Sequence, residues 1–133
     1  GRELEHTCVG EKHEYGHLGY IRPLDQFGFI YENSTPNKIS FFDTRTFVTV
    51  SQASTPVDFR SFLYLSGTNY LIAGSTDTVL DVTDWSVYTT LNEVSDPDNP
   101  AEKAKFTLSD WNEALRCIVS GSPSGLVRFS VIC

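Results

Sequence analysis

The sequence predicts an all-β protein, and three observations support this prediction. Short runs rich in Val, Ile, Thr, Phe and Tyr alternate with clusters of Gly, Pro, Asn, Asp and Ser, which is the pattern of strands joined by turns. Hydrophobic residues make up 40% of the 133 positions, enough for the core of one domain. One segment at most has helical spacing, and no run of about 18 apolar residues predicts a membrane span.

Nine strands are expected, each bounded by turn-forming residues. Residues 33–37 (Asn-Ser-Thr-Pro-Asn) have the chemistry of a hairpin loop. Residues 96–100 (Asp-Pro-Asp-Asn-Pro) combine two prolines with turn formers and predict an exposed loop. In chain order, the expected strands are 18–23, 27–32, 38–43, 59–65, 69–73, 78–82, 86–91, 104–108 and 126–132.

The single expected helix is short and lies near the end of the chain. The hydroxyl of Ser109 can cap its first turn, and Gly121 would end it. Trp111, Leu115 and Ile118 are spaced so that they would share one face of this helix.

The second expected strand carries a row of aromatic residues. Phe27, Phe29 and Tyr31 alternate with Gly28 and Ile30. Because successive side chains of a strand point to opposite faces, the three rings share one face. A small barrel fills its interior with aliphatic side chains, and aromatic rings on its outer face are how oligonucleotide-binding barrels stack bases. This face is therefore a candidate nucleic-acid surface.

The aromatic strand belongs to a longer resemblance to a known family. Residues 19–21 (Gly-Tyr-Ile), 27–30 (Phe-Gly-Phe-Ile) and 39–42 (Ile-Ser-Phe-Phe) resemble the first three strands of the cold-shock domain. They are most similar to the divergent repeats of UNR-type RNA-binding proteins. The resemblance covers about residues 18–47 and implies a five-stranded OB-type barrel that binds single-stranded RNA or DNA.

The resemblance also implies which side chains would stack bases. Phe27 and Phe29 match the first motif of the family. In the second motif, either Phe41 stacks and the histidine is lost, or Phe42 replaces the histidine and the stacking ring is lost. Both alignments imply a weakened nucleic-acid face. With the nearby cations included, the candidate nucleic-acid residues are Phe27, Phe29, Tyr31, Phe41, Phe42, Arg22, Lys38 and Arg45.

The chain is longer than a five-stranded barrel requires. We expect an N-terminal arm over residues 1–14, a cold-shock-like barrel core over residues 15–65, and a C-terminal β elaboration over residues 66–133. The spacing leaves open whether this last part completes the barrel or packs on it as a second β-unit.

Acidic side chains dominate the middle of the chain. The net charge is −7, and residues 61–102 contain no Lys or Arg. Because nucleic-acid affinity depends on phosphate neutralisation, this distribution disfavours a strong nucleic-acid binder. It favours a protein partner with a basic or strand-forming segment, or it only keeps the domain soluble. The candidate partner-binding residues are Asp77, Asp81, Asp84 and Glu93.

The sequence lacks the local motifs of enzymes and cofactor-binding proteins. It has no Gly-x-Ser-x-Gly elbow, no P-loop and no Gly-x-Gly-x-x-Gly loop. Cys8, His13 and His17 have metal-compatible spacing, but no Cys-x₂-Cys pair completes a zinc site. We therefore expect a protein that is not an enzyme and has no metal and no cofactor. Trp85 and Trp111 are expected in the packing.

The three cysteines are widely spaced, which favours a reducing compartment over a disulfide framework. We expect an intracellular protein, cytoplasmic or nuclear and granule-associated, without membrane contact. The expected function is a non-catalytic module of an RNA-handling protein, of the ribonucleoprotein or RNA-silencing type, that acts mainly in protein–protein interaction. The alternative is a single-stranded RNA-binding cold-shock domain that stacks bases on Phe27 and Phe29.

Overall fold

The structure, a computed structural model, describes residues 15–31, 38–42, 48–74 and 76–132. These residues form thirteen strands and one short 3₁₀ turn, and none of them lies in an α-helix, which confirms the expected all-β class. The strands are β1 (Tyr15–Ile21), β2 (Gln26–Tyr31), β3 (Lys38–Phe42), β4 (Thr49–Ser54), β5 (Phe62–Leu65), β6 (Tyr70–Ala73), β7 (Thr78–Asp81), β8 (Val87–Thr90), β9 (Ser95–Asp96), β10 (Asn99–Lys103), β11 (Leu108–Asn112), β12 (Cys117–Gly121) and β13 (Val127–Val131).

The described strands pair only with their neighbours in sequence, and all of these pairings are antiparallel. β1–β4 form the first sheet, β5–β8 the second sheet and β11–β13 the third sheet, while β9 and β10 form a separate hairpin. The described strands do not form a single closed five-stranded barrel. They form consecutive up-and-down meanders.

The first and second sheets pack face to face. Ile21 and Ile39 of the first sheet share a buried cluster with Leu71 and Leu80 of the second. The approach is close at Gly19, where an added Cβ would lie 2.9 Å from the Phe62 ring. The first strands of the two sheets, β1 and β5, are in contact.

The second and third sheets pack in the same way through the opposite face of the second. Leu65, Ile72 and Val79 share a second buried cluster with Ile118 and Ile132. The first strands of these sheets, β5 and β11, are again in contact. The second sheet is therefore the central layer of a three-sheet stack.

Both tryptophans take part in this packing, as expected. Trp85 packs against the first cluster, with its ring centroid 5.6 Å from that of Phe41. Trp111 packs against the second cluster, and its indole N–H donates to the Ser66 carbonyl at 3.0 Å. Each ring therefore supports the packing of one sheet on the next.

The helix expected from Ser109 to Gly121 is wrong, because this segment is the β11–β12 hairpin. Trp111 pairs with Ile118 across the two strands. The backbone turns back at Arg116, which has a φ of 49°. β-branched residues such as Ile118 lose side-chain freedom in a helix and pack well in strands, and this preference outweighed a short helical spacing.

Other expectations need smaller corrections. The strand expected at 104–108 is wrong, because β10 ends at Lys103 and β11 begins at Leu108. β4 was not expected, since its sequence (Thr-Val-Ser-Gln-Ala-Ser) is mostly polar. The boundary expected after Leu65 falls inside the second sheet, where Leu65 pairs with Tyr70. The arm at 1–14 and the loop at 33–37 lie outside the described residues.

The loop expected at residues 96–100 is shorter than expected, because Asp96 ends β9, Asn99 begins β10 and only residues 97–98 form the turn between them. Residues 97–100 are exposed, as expected. No helix among the described residues is long and apolar enough to cross a membrane.

Candidate interaction surfaces

The third sheet turns an apolar face to solvent. In β13, Val127, Phe129 and Val131 are between 58% and 71% exposed, whereas the intervening Arg128 is buried. An amphipathic strand normally buries its apolar side, so β13 has the reverse arrangement.

The exposed apolar residues continue across the sheet. Phe129 lies opposite Val119, and Val127 lies opposite Gly121. Gly121 in turn lies opposite Leu108, which is 75% exposed. An added Cβ on Gly121 would meet no atom within 4 Å. We name this surface the C-terminal apolar face and define it as Leu108, Val119, Val127, Phe129 and Val131.

Arg128 explains why β13 has this orientation. Its Nη2 lies 2.7 Å from the Asp77 carboxylate, and its Nη1 donates to the Asn92 carbonyl at 3.0 Å. Its guanidinium also lies 4.1 Å from the centre of the Phe106 ring. A buried guanidinium requires such compensation, and these three groups contact it on the inner side of the sheet. The apolar side of the strand must therefore face outward.

The first sheet carries a smaller apolar face on its outer side. Tyr20 and Phe27 lie opposite each other with ring centroids 5.2 Å apart, and each is 41% exposed. The Tyr20 hydroxyl donates to the Asp25 carboxylate, and this hydrogen bond raises the pKa of Tyr20 above its ordinary value of 10.0. We name this surface the N-terminal aromatic face and define it as Leu18, Tyr20, Phe27 and Phe42.

The phenylalanines of the candidate nucleic-acid surface do not all share this exposure. Phe29 is fully buried and stacks on the half-buried Phe42, with ring centroids 4.3 Å apart. Phe41 is buried in the first cluster, on the opposite side of the sheet from Phe42. The strands therefore bring Phe27 and Phe42 together, as directly paired residues, and place Phe41 in the core.

The remaining candidate nucleic-acid residues are scattered. Arg22 is exposed in the 3₁₀ turn after β1, and Lys38 is exposed at the start of β3. The side chain of Tyr31 and the whole of Arg45 lie outside the described residues. No basic stripe is therefore seen beside Tyr20 and Phe27 in the part of the chain that the structure describes.

Two of the candidate partner-binding carboxylates have cationic partners within the chain. Asp77 holds Arg128, and Glu93 lies 2.6 Å from the ammonium of Lys103. The pair of Glu93 and Lys103 is exposed, so it contributes little to stability. Asp77, in contrast, supports the core and is not a free docking group.

The other two carboxylates lie where β7 turns toward β8, since Asp81 ends β7 and Asp84 belongs to the turn. Asp81 accepts hydrogen bonds from the amide and hydroxyl of Thr83, at 2.9 and 2.6 Å. Asp84 accepts from the amide and hydroxyl of Ser86, at 3.0 and 2.7 Å. The Ser86 hydroxyl, followed by its amide, lowers the pKa of Asp84 below its ordinary 3.8. The two carboxylates form an acidic edge of the second sheet.

The surface offers a cavity but no metal cluster. A cavity of about 740 Å³ is lined by Asp77, Glu93 and Glu102 together with Lys103, Lys105 and Phe106. Among the described residues, no group of three or more His, Cys, Asp or Glu side chains is placed to hold a metal ion. Of the three metal candidates, Cys8 and His13 lie outside the described residues.

No family model and no curated protein matches this chain. Among solved structures, the crystal structure of the computationally designed Ika4 protein aligns with 13% sequence identity and a TM-score of 0.48. The alignment covers 100% of this chain and 99% of that chain. A likeness at this score carries no functional information.

Proposed function

We infer that the protein is a non-catalytic protein-interaction module and that the C-terminal apolar face is its main binding surface. The observation that carries this proposal is the reversed strand β13, with three large apolar side chains more than half exposed in alternation. Contiguous exposed apolar residues on a soluble domain are typical of a protein–protein interface. Full burial of a side chain such as Phe129 contributes about 1.5–3 kcal/mol, so a few such residues suffice for a specific complex.

The setting that we propose is an intracellular RNA-handling assembly. The resemblance of residues 18–47 to cold-shock domains supports this setting. On the same resemblance, we propose that the N-terminal strands close into an OB-type barrel. The acidic edge at Asp81 and Asp84 supports a partner that carries basic residues beside its apolar segment. Asp77 and Glu93 should attract a basic partner less strongly, because each already forms an ion pair within the chain.

A second candidate function is weak binding of single-stranded RNA at the N-terminal aromatic face. The exposed pair of Tyr20 and Phe27 favours it. Stacking contributes about 1–3 kcal/mol per base, and few cations are available to neutralise phosphates. We expect at most weak binding, lost as salt is raised.

Capture of partners from a cytoplasmic lysate, with and without ribonuclease, tests the proposed function. We expect Phe129→Lys to lose most captured proteins and Leu115→Lys to keep them, because Leu115 is equally exposed but lies in the β11–β12 turn. Ribonuclease should have no effect.

A titration with labelled poly-pyrimidine RNA tests the alternative. Sub-micromolar affinity with a steep salt dependence, lost in Phe27→Ala, would replace our proposal with RNA binding.

A further inference from the structure

β13 is an edge strand of the third sheet, and its outer edge pairs with no described strand. On its inner edge it pairs with β12, where the amide of Ile132 donates to the carbonyl of Arg116 at 2.8 Å. The backbone hydrogen-bonding groups of successive residues in an antiparallel strand point to opposite sides. The amides and carbonyls of Val127, Phe129 and Val131 therefore point away from β12, and the side chains of the same residues are exposed.

β13 also lacks the features that usually keep an edge strand from pairing. Such strands are commonly protected by lysine, proline or a bulge. β13 contains neither lysine nor proline, its single cation Arg128 is buried, and its register with β12 is regular. The last strands of the other two sheets, β4 and β8, each have a register irregularity. Of these three last strands, β13 is therefore best suited to accept another strand.

A groove lies beside this edge. It has a volume of about 250 Å³ and is lined by residues 89–92 and by residues 129–132, none of which is charged. The first and second sheets have four strands each, whereas the third has three. A single added strand would give the third sheet as many strands as the second sheet on which it packs, and its inner side chains would lie at the groove.

We propose that β13 pairs antiparallel with an extended segment of a partner protein, which becomes the fourth strand of the third sheet. This inference rests on the proposed function and describes the partner. An antiparallel partner satisfies both the amide and the carbonyl of each outward residue. A segment of alternating character fits the site, because its apolar side chains would extend the C-terminal apolar face beside Phe129 and its small neutral side chains would face the groove.

Charge favours a basic segment over a second copy of the chain. Asp81 and Asp84 lie just before β8, whose last residues line the groove. Each copy has a net charge of −7, so two copies repel each other. Lysines at the ends of a partner segment would instead be attracted to this region, since residues 61–102 contain no Lys or Arg.

Titration of a synthetic peptide into the whole chain tests the inference. The probe is a peptide of alternating valine and threonine, about seven residues long, with a lysine at each end. We expect a dissociation constant of about 1–100 μM. In the proposed pairing the valine amides face β13 and the threonine amides face away from it. Methylation of the valine amides should therefore abolish binding, whereas methylation of the threonine amides should leave it nearly unchanged.

Val131→Pro is the matching change in the protein. It removes an amide hydrogen that points away from β12, and proline is tolerated at such edge positions. We expect the dissociation constant of the peptide to rise about fivefold or more. Leu108→Gln is the control and should bind like the parent, because it changes the C-terminal apolar face in β11, away from this edge. Circular dichroism checks that both variants remain folded.

Equal affinity of the two methylated peptides, or no binding of the unmodified peptide, would overturn the inference. Self-association of the parent in sedimentation equilibrium that is lost in Val131→Pro would also overturn it, because a second copy would then occupy the edge. Failure of the inference is separable from failure of the proposed function. If Phe129→Lys loses captured proteins and Val131→Pro keeps them, the apolar face binds without strand pairing and only the inference fails. If Phe129→Lys keeps them as well, both proposals fail.

Discussion

The guanidinium of Arg128 is surrounded by groups from distant parts of the chain. Asp77, the Asn92 carbonyl and the Phe106 ring all contact it, and Ser120 lies within 3.3 Å. Its Nε has no hydrogen-bond partner among the described residues. Removal of one partner of a buried ion pair leaves the other charge without compensation, which is strongly destabilising.

We predict that Arg128→Met lowers the free energy of unfolding by about 2–4 kcal/mol, because Asp77 and the Asn92 carbonyl lose their donor. Arg128→Lys should lose less, since it keeps the charge without the planar fork. Urea denaturation measures both. A change of less than about 0.5 kcal/mol in Arg128→Met would show that the guanidinium does not hold β13 in place.

Ser86 controls the ionisation of Asp84 in the β7–β8 turn. We predict that Ser86→Ala raises the pKa of Asp84 toward 3.8, because the hydroxyl that stabilises the carboxylate is lost. A folded-state pKa below the unfolded value stabilises the fold above that value, and this contribution is lost as the pH falls through the folded pKa. The stability difference between parent and variant should therefore shrink below about pH 4.

A carboxyl titration by NMR measures this pKa directly. Ser86→Thr is the control, because it keeps a hydroxyl at the same position. An unchanged pKa in Ser86→Ala would mean that the backbone amide alone sets it.

At the scale of strands, the sequence predicts alternation but not which side is buried. Phe41 and Phe42 are adjacent, so one had to face inward, yet only the packing of the second sheet shows that Phe41 does. In β13, Val127, Phe129 and Val131 share one side of the strand, and an amphipathic strand usually buries its apolar side. The reversal depends on Asp77 and Asn92, which are far away in sequence. No pattern within β13 could have revealed it.

Gly28 of β2 fits between two neighbouring strands. An added Cβ would lie 2.9 Å from a methyl group of Ile21 and 3.0 Å from one of Ile39. We predict that Gly28→Ala destabilises the protein by about 1–3 kcal/mol, because the first cluster becomes overpacked.

Gly121→Ala is the matched control for this prediction, since it lies in a strand with open space at the Cβ position. Thermal unfolding of the two variants compares them. Equal stability in Gly28→Ala and Gly121→Ala would contradict the tight packing at β2.

At the scale of the whole molecule, the class and most strand positions follow from local signals. Runs of β-branched and aromatic residues between turn residues predict strands such as β2, β6 and β7, because strand propensity depends on short local sequences. The order of the sheets in the stack is set by contacts between residues far apart in the chain. The ion pair of Asp77 with Arg128 is another contact between distant residues, and local sequence could not predict it.

The proposed function depends on the C-terminal apolar face. Hydroxyl-radical footprinting of Phe129 tests it most directly, in dilute protein and again in the protein bound to its partner. We expect Phe129 to be oxidised readily in the dilute protein and to be protected on association. Protection already present in the dilute protein would show that β13 buries its apolar side. Oxidation that is unchanged on association would show that this face is not the binding surface.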